Sequence, residues 1–316
     1  MRVALDESPL VESTGGIRRY TVELTRALTE RFPQDEFRLI GGGGRWWSYG
    51  LPRLLARHGF HLFHGTDFSV PYWPNRPSVL TLHDLSPWRA EGGGAASKRV
   101  RRRTPLLLRF GLATMVITPS EAVRREAIDF FGLAPEEVIA IPEAASEQFR
   151  PIQGPPPARP YFLHVGTLGP RKNIGVIQQA WRQLSRRYDV DLVFAGRGGP
   201  PAVEIPEDRL PALYAAATAL LYPSLYEGFG LPVLEAMQSG TPVICSRDPA
   251  LMELSSGACL HADSDWAAAM ELLLTRPDIR AARAEAGLRR AAQFSWLKTA
   301  ERTYQVYRTA LRRFHG

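Results

Sequence analysis

The chain has 316 residues, of which 45% are hydrophobic and 22% are charged. This composition is typical of a globular protein and excludes a disordered or collagen-like chain, and the length suggests about two domains. Cys245 and Cys259 are too few for a disulfide framework or a zinc site, so we expect both in the core. No signal peptide is visible and no apolar stretch approaches the ~20 residues of a membrane span, so we expect a cytoplasmic protein.

The net charge of +7 favours an anionic partner. The densest basic run covers residues 98–103, and Leu106, Leu107 and Leu108 follow it. Cations beside leucines are typical of a helix at an anionic membrane surface, so peripheral contact with the inner face of the membrane is one hypothesis. The alternative is a solvated helix whose leucines face the domain core. A nucleic-acid-binding protein is a rival, but the chain has no zinc-finger spacing and no aromatic RNP motif, so we expect no nucleic acid partner.

Strand-like and helix-like segments alternate along the whole chain. In the first half, helices are predicted at 17–31 and 120–131, with Ser120 as N-cap and Gly132 after the last turn. The strands predicted in this half cover 3–5, 36–40, 62–64, 78–82, 115–118 and 138–141. Residues 150–160 are rich in proline and predict a stiff linker.

The alternation restarts after the linker. The second half has predicted strands at 161–165, 191–195, 219–222 and 243–245, and predicted helices at 173–187, 231–239 and over most of 265–314. Two α/β domains with parallel sheets, 1–150 and 151–316, are the simplest interpretation, with ligands at the carboxyl ends of the strands and a cleft between the domains.

The segment 226–236, YEGFGLPVLEA, carries the strongest chemical signal. Pro232 suits the first turn of a helix, and the preceding glycines let the backbone approach a ligand. Free N–H groups at such a helix start bind anions. Glu227 lies in the loop and Glu235 in the helix, and carboxylates accept paired hydrogen bonds from the diols of a sugar or ribose.

Glu227 and Glu235 reproduce the E-x7-E motif, and nearly the whole chain resembles the retaining glycosyltransferases of family 4, which have the GT-B fold. The resemblance implies two Rossmann-like domains whose sheets face a central cleft, with the last helix, about 296–316, packing back on the N-terminal domain. It implies that Glu227 contacts the donor sugar and that Glu235 binds the ribose hydroxyls. The backbone around these residues would bind the sugar and phosphates, through Gly228, Phe229, Gly230 and Leu231.

A second segment, GTLGPRKN at 166–173, follows a predicted strand and opens a helix. A glycine turn with adjacent cations can hold a diphosphate. The resemblance assigns Arg171 and Lys172 to the leaving diphosphate and places Gly166 and Thr167 at the donor. Many family members have arginine where this chain has Thr167.

Two motifs in the first half complete the resemblance. The loop TGGIRRY at 14–20 is similar to the family's T-G-I-G-R-Y loop, which places Gly15 and Gly16 at the donor phosphate, while Arg18 replaces a glycine and is expected near the acceptor. His83 and Asp84 match the family's H-D element at a strand end. By resemblance His83 points at the reacting sugar or acceptor, and Asp84 orients it or binds acceptor.

The sequence therefore predicts a retaining, metal-independent hexosyltransferase. It would move glucose or mannose from a UDP- or GDP-linked sugar to a sugar, a lipid-linked saccharide or a small-molecule acceptor, with no cofactor besides this co-substrate. An inactive nucleotide-sugar-binding protein and a phosphate-dependent phosphorylase are the rival interpretations. Relatives have an extra helix before the strand that we match here to 202–205, and the short segment 198–210 lacks it. In relatives this stretch helps to hold the nucleobase, so the sequence does not identify the base of the donor.

Overall fold

The chain forms two compact α/β units in the computed structural model, which describes residues 1–11, 15–43, 45–89, 95–199 and 201–314. The first unit comprises Met1–Glu143 together with Ser295–Gly316, and the second comprises Ala144–Phe294. The division falls before the proline-rich segment 150–160, which is therefore part of the second unit and does not separate the two.

Each unit is built around one parallel sheet. The strands of the first unit are β1 (Arg2–Asp6), β2 (Glu36–Ile40), β3 (Leu62–Gly65), β4 (Ser78–Thr81), β5 (Met115–Thr118) and β6 (Val138–Ala140). The strands of the second are β7 (Tyr161–Val165), β8 (Asp191–Ala195), β9 (Ala219–Tyr222), β10 (Val243–Cys245) and β11 (Leu260–His261). The sheet orders are β2-β1-β3-β4-β5-β6 and β11-β10-β9-β7-β8. Because helices cover both faces of such sheets, the inner strands are apolar runs rather than alternating ones, as in β9 (ALLY) and β10 (VIC).

Helices connect the strands within each unit. In chain order the α-helices are α1 (Gly16–Arg31), α2 (Leu51–Arg57), α3 (Ala95–Arg109), α4 (Glu121–Phe131), α5 (Ile174–Leu184), α6 (Leu210–Ala216), α7 (Leu231–Gln238), α8 (Pro249–Ser255), α9 (Trp266–Thr275), α10 (Pro277–Ala291) and α11 (Trp296–Arg313). The predicted ends of α4 are confirmed, since the Ser120 side chain accepts the N–H of Val123 at 3.2 Å. Gly132 closes the helix in the left-handed conformation.

The C-terminal helix α11 packs on the first unit. The ring of Tyr304 stacks on Phe32 at 3.8 Å, and its hydroxyl donates to Asp35 at 2.6 Å. Deeper in the unit, the hydroxyl of Tyr307 lies 2.7 Å from Nδ1 of His64, a buried residue of β3. Stacking and buried hydrogen bonds therefore fix α11 beside α1 and the sheet.

The predicted strand at 202–205 is wrong. Val203 makes a single parallel bridge with Ala195, and no strand forms there. Pro201 and Pro206 flank this segment, and proline has no N–H to donate to a sheet, so pairing stops after one residue. Elsewhere in the second unit, the expectation for the cysteines is confirmed, since Cys245 and Cys259 are both buried and free.

Candidate active site

A buried ion pair lies at the carboxyl edge of the second sheet. Nζ of Lys172, in the turn after β7, is 2.5 Å from Oε1 of Glu227, in the loop after β9. The same ammonium donates to the hydroxyl of Tyr222 at 2.7 Å and lies 4.7 Å from the centre of its ring. Since β7 and β9 are neighbours in a parallel sheet, their carboxyl ends meet, and two segments far apart in sequence form one cluster.

Arg171 extends this cluster toward solvent. Its Nη1 donates to the carbonyl of Tyr226 at 2.7 Å and lies 3.6 Å from Oε2 of Glu227. The backbone continues the connection, because the N–H of Leu225 donates to the carbonyl of Arg171 at 2.9 Å. The turn that carries Arg171 and Lys172 is thus bound to the loop of Glu227. The Arg171 side chain remains 30% exposed.

Electrostatics keep Glu227 ionised. Burial raises the pKa of its carboxyl, but the charges of Lys172 and Arg171 outweigh burial, and the net pKa is lowered. Burial, with the nearby charge of Glu227, holds the pKa of Tyr222 well above its usual range. The cluster therefore presents a carboxylate that only accepts hydrogen bonds, two cations that only donate, and a neutral phenol.

Glu235 lies on α7, the helix that follows the loop of Glu227, and its side chain is buried. The hydroxyl of Tyr214, on α6, donates to Oε2 of Glu235 at 2.9 Å, and both side chains are buried. This bond orients one carboxylate oxygen. Sequence reasoning missed Tyr214 because it lies outside every motif.

The start of α7 has the geometry of an anion-binding helix terminus. Gly230 has a φ of 102°, and a Cβ there would lie 2.5 Å from Cδ2 of Leu251, so only glycine fits. Among the residues that the structure describes, no side chain caps this helix, and proline occupies its first turn. Phe229 is buried with its ring 6.0 Å from that of Phe294, which anchors the loop that begins at Gly228.

Backbone packing determines the conformation of the other turn that is predicted to contact the nucleotide sugar, the turn after β7. Gly166 has a φ of 144°, and its N–H donates to the carbonyl of Ala195 at 2.9 Å. A Cβ on Gly196 would lie 2.2 Å from the carbonyl oxygen of Gly166, so the turns after β7 and β8 touch backbone to backbone. Thr167 is exposed beside them.

Asp248 is a further member of this region that sequence reasoning missed. Its Oδ2 accepts the N–H of Glu227 at 3.3 Å, while Oδ1 accepts the N–H groups of Ala250 and Leu251 at 3.0 and 3.2 Å. Burial raises the pKa of Asp248 to about 6. An aspartate directly before a proline is a helix-start signal, which could have indicated the cap but not its bond to the loop of Glu227.

The predicted residues of the first unit gather at the carboxyl edge of its sheet. Nε2 of His83 lies 2.8 Å from the carbonyl oxygen of Thr66, and Nδ1 lies 3.4 Å from Oε1 of Glu143. Asp84 accepts the N–H and the hydroxyl of Ser86 at 2.9 and 2.7 Å. The roles of His83 and Asp84 toward sugar or acceptor stay predictions.

The glycine loop of the first unit leads into α1. Gly15 has a φ of 137° and Gly16 is the first residue of the helix, whose N-terminus no side chain of the described residues caps. Arg18 lies in the first turn, and its buried Nε has no hydrogen-bond partner within the described ranges. Thr14, the first residue of the predicted motif, lies outside the described residues.

The basic run lies on α3, where Lys98, Arg101, Arg102 and Arg103 are exposed, while the Arg99 side chain lies outside the described residues. The hypothesis that all three leucines face a membrane is wrong for Leu107 and Leu108, which are buried, because helix periodicity turns them to the core. Leu106 is 53% exposed and Phe110 68% exposed. Within the described part of the chain, no helix has the length and apolarity to cross a bilayer.

Comparison with known proteins identifies the family. Residues 159–276 match the sequence profile described as "Glycosyl transferases group 1", and residues 32–149 match that of "Glycosyltransferase Family 4". The chain is 28% identical to the O-antigen chain mannosyltransferase B of Escherichia coli, in an alignment that covers 96% of this chain and 88% of the relative.

Solved structures of the same fold cover nearly the whole chain. The sucrose-phosphate synthase of Thermosynechococcus elongatus superposes with a TM-score of 0.76 at 20% identity, over 98% of both chains. The HepE protein of Anabaena, in complex with UDP-glucose, superposes with a TM-score of 0.73 at 16% identity, over 98% of this chain and 100% of that one. These neighbours confirm the predicted GT-B fold. The two profiles, with the E. coli relative, show that this chain belongs to the family 4 glycosyltransferases.

Proposed function

We propose that this glycosyltransferase moves a mannosyl or glucosyl residue from a UDP- or GDP-linked sugar to an acceptor hydroxyl, with retention of anomeric configuration and without a metal ion. The observation that carries the proposal is the buried cluster in which Glu227 contacts both Lys172 and Arg171. The names of the E. coli mannosyltransferase and of the UDP-glucose complex support hexosyl transfer from a nucleotide sugar.

The cluster offers complementary groups for the two halves of a sugar diphosphate. The Glu227 carboxylate accepts hydrogen bonds from sugar hydroxyls, and Arg171 and Lys172 attract the diphosphate. Both cations already face Glu227, so an incoming diphosphate competes with that carboxylate for them. In this scheme donor binding moves the cations part of the way from Glu227 to phosphate, and Gly166, Thr167 and the backbone at the start of α7 complete the anion site.

The leaving diphosphate gains negative charge as the glycosidic bond breaks. Arg171, Lys172 and the helix N-terminus stabilise that charge, an effect worth about 3 to 4 kcal/mol per donor group in other enzymes. In the proposed front-face reaction, the donor's own phosphate takes the acceptor proton, and the new bond forms on the face that the diphosphate leaves. Glu235, held by Tyr214, binds the ribose hydroxyls.

The acceptor side is proposed in the first unit. Asp84 orients His83 or binds the acceptor, and Arg18 and His83 supply positive charge near the acceptor. We propose that the acceptor is a sugar, a lipid-linked saccharide or a small molecule.

A donor and acceptor screen tests the proposal. Thermal shifts with UDP- and GDP-sugars identify the donor, because a ligand at 100 times its Kd stabilises the protein by about 2.7 kcal/mol. Incubation with that donor and saccharide acceptors, followed by NMR of the product's anomeric proton, should show transfer with the donor's configuration, unchanged by EDTA. Donor binding without transfer would support the inactive binder, and a strict need for inorganic phosphate would support the phosphorylase.

We also propose that α3 contacts an anionic membrane surface at the inner face of the cytoplasmic membrane. Its exposed cations suit anionic headgroups, and Leu106 and Phe110 are exposed apolar side chains beside them. Each cation near such a surface contributes about 1 kcal/mol at most.

Liposome sedimentation tests the membrane contact. Binding should need anionic lipid and should weaken with salt, because charges are screened within about 10 Å at 0.1 M. Replacing Lys98, Arg101, Arg102 and Arg103 by glutamine should abolish binding, while the same charge change on the second unit, at Arg182, Arg186, Arg276 and Arg289, should not. Equal sedimentation of both variants would contradict the assignment of the surface to α3.

A further inference from the structure

Both ring nitrogens of His83 are engaged within the first unit. Nε2 lies 2.8 Å from the carbonyl oxygen of Thr66, and since a carbonyl only accepts, Nε2 carries a proton and donates it. Nδ1 lies 3.4 Å from Oε1 of Glu143. His83 is 9% exposed and Glu143 5% exposed, so the pair lies almost entirely out of water.

The topology of the sheet explains why these residues meet. His83 follows β4, Thr66 follows β3 and Glu143 follows β6 after a short connection. All three strands are parallel, so their carboxyl ends lie at one edge. Glu143 and His83 are distant in sequence, and no motif joins them.

The surroundings of the ring favour its charged form. Burial alone lowers the pKa of His83, but the hydrogen bond and charge of Glu143 outweigh it, with help from the Thr66 carbonyl and the charge of Asp67, so the net pKa is raised. The ring of Tyr20 packs edge-to-face on His83 at 4.9 Å. His64 is a further titratable neighbour, and it stays neutral because burial lowers its pKa to about 3.

We infer that Glu143 is a positioning residue that holds His83 as an imidazolium with both N–H groups bound inside the first unit. In this state the ring has no lone pair to accept a proton, so His83 acts as a fixed positive charge and not as a general base. Such a charge stabilises negative charge that develops on a nearby oxygen, such as an acceptor hydroxyl losing its proton. The effect on transfer depends on the proposed function, whereas the charge state of the ring does not.

Nuclear magnetic resonance of the full-length protein with ¹⁵N-labelled histidine tests the charge state directly. His83 is assigned by the signal that His83→Gln removes. We expect imidazolium shifts at pH 6 and a midpoint above 6.5. In Glu143→Gln, which keeps the size and one acceptor oxygen, the midpoint should fall by about one pH unit, a tenfold change in the acid dissociation constant. Glu136→Gln, an exposed glutamate in the turn before β6, is the matched control and should leave the midpoint unchanged.

Transfer kinetics then separate positioning from structure. We expect Glu143→Gln to lose up to about tenfold in kcat at pH 8, the limit that a one-unit fall in pKa sets on the protonated fraction of His83, and to recover toward wild type at pH 5.5, where more of His83 is protonated without its partner. Donor KM should change little. A purely structural role predicts a loss that pH does not reverse. If His83 titrates identically in wild type and Glu143→Gln, or is neutral at pH 6, the inference is overturned, whether or not transfer is observed.

Discussion

The ammonium of Lys172 donates a 2.7 Å hydrogen bond to the hydroxyl of Tyr222 and lies 4.7 Å from the centre of the same ring. Tyr222 thus holds the cation in two ways, through its oxygen and through its π face. The lysine, with its long flexible side chain, therefore has one preferred position beside Glu227.

Removing only the Tyr222 hydroxyl tests its hydrogen bond with Lys172 separately from the contact with the ring. Tyr222→Phe keeps the ring and should lower kcat by about tenfold, the value of one hydrogen bond to a charged group, while nucleotide affinity changes little. Steady-state kinetics at saturating donor measure the effect. Tyr161→Phe is the control, because that hydroxyl donates to the carbonyl of Leu213, outside the cluster. Equal kcat values in Tyr222→Phe and wild type would show that the hydroxyl does not position Lys172.

Replacing Glu235 tests the proposed ribose contact. Glu235→Ala should weaken nucleotide binding by about 10- to 150-fold, because a charge-assisted diol contact is worth roughly 1.5–3 kcal/mol. Tyr214→Phe should give a smaller loss in the same direction, since it frees the carboxylate without removing it. Calorimetric titration with UDP or GDP measures both, and the exposed Glu285→Ala serves as control. Unchanged affinity in a folded Glu235→Ala protein would exclude the ribose role.

The two cations should act mainly on turnover. Arg171→Ala and Lys172→Ala should each lower kcat by on the order of 10² or more, with smaller effects on donor affinity, because the diphosphate gains charge in the transition state. The double variant should lose less than the sum of the two effects, as groups that act as a unit do.

Controls for the cation variants are the exposed Lys298→Ala and Arg182→Ala. Thermal melts accompany the kinetics, since removing Lys172 leaves a buried carboxylate with one partner fewer. Should both site variants keep kcat within about twofold of wild type, the diphosphate must bind elsewhere.

The buried histidine of the first unit makes stability depend on pH. Burial lowers the pKa of His64 to about 3, whereas the unfolded chain has the usual 6.5. Below pH 6.5 the unfolded state binds a proton at His64 that the folded state does not bind. The contribution of His64 to the free energy of unfolding is therefore complete above pH 6.5 and is lost as the pH falls. At pH 5 the loss is about 2 kcal/mol.

Denaturant unfolding at pH 5 and pH 7.5 measures that loss. His64→Gln, although less stable overall because it disturbs the bonds to Tyr307 and Thr81, should lose about 2 kcal/mol less than wild type between these pH values. The raised pKa of His83 contributes in the opposite sense in both proteins and cancels in the difference. Identical pH dependence in the two proteins would mean that His64 titrates normally.

The sequence predicted what short motifs encode. The segment around Lys172 directly follows a predicted strand and Glu227 lies in a predicted loop, and the structure brings them together because β7 and β9 are neighbours. The motifs do not indicate the partners that complete the cluster. Tyr222, Tyr214 and Asp248 are single residues whose meaning depends on which strands and helices become neighbours, and a linear pattern does not encode that.

The errors have similar physical causes. The strand expected at 202–205 has suitable composition but lies between two prolines, which limit pairing to Val203. The leucines of α3 were adjacent in sequence, yet a helix separates neighbouring residues by about 100°, so Leu106 and Leu107 point to different surroundings. Glu143, the partner of His83, carries no local signal.

The rate of transfer by Glu227→Gln tests the central proposal, that this carboxylate and its two cations form the donor site. The substitution keeps the shape of the side chain and removes its charge. In a single turnover at saturating donor, we expect the rate to fall by about 100-fold or more, while UDP or GDP binds at least as tightly as to wild type, because Lys172 and Arg171 are freed for phosphate. The exposed Glu204→Gln should behave like wild type. A rate within about twofold of wild type for Glu227→Gln would contradict the proposed site.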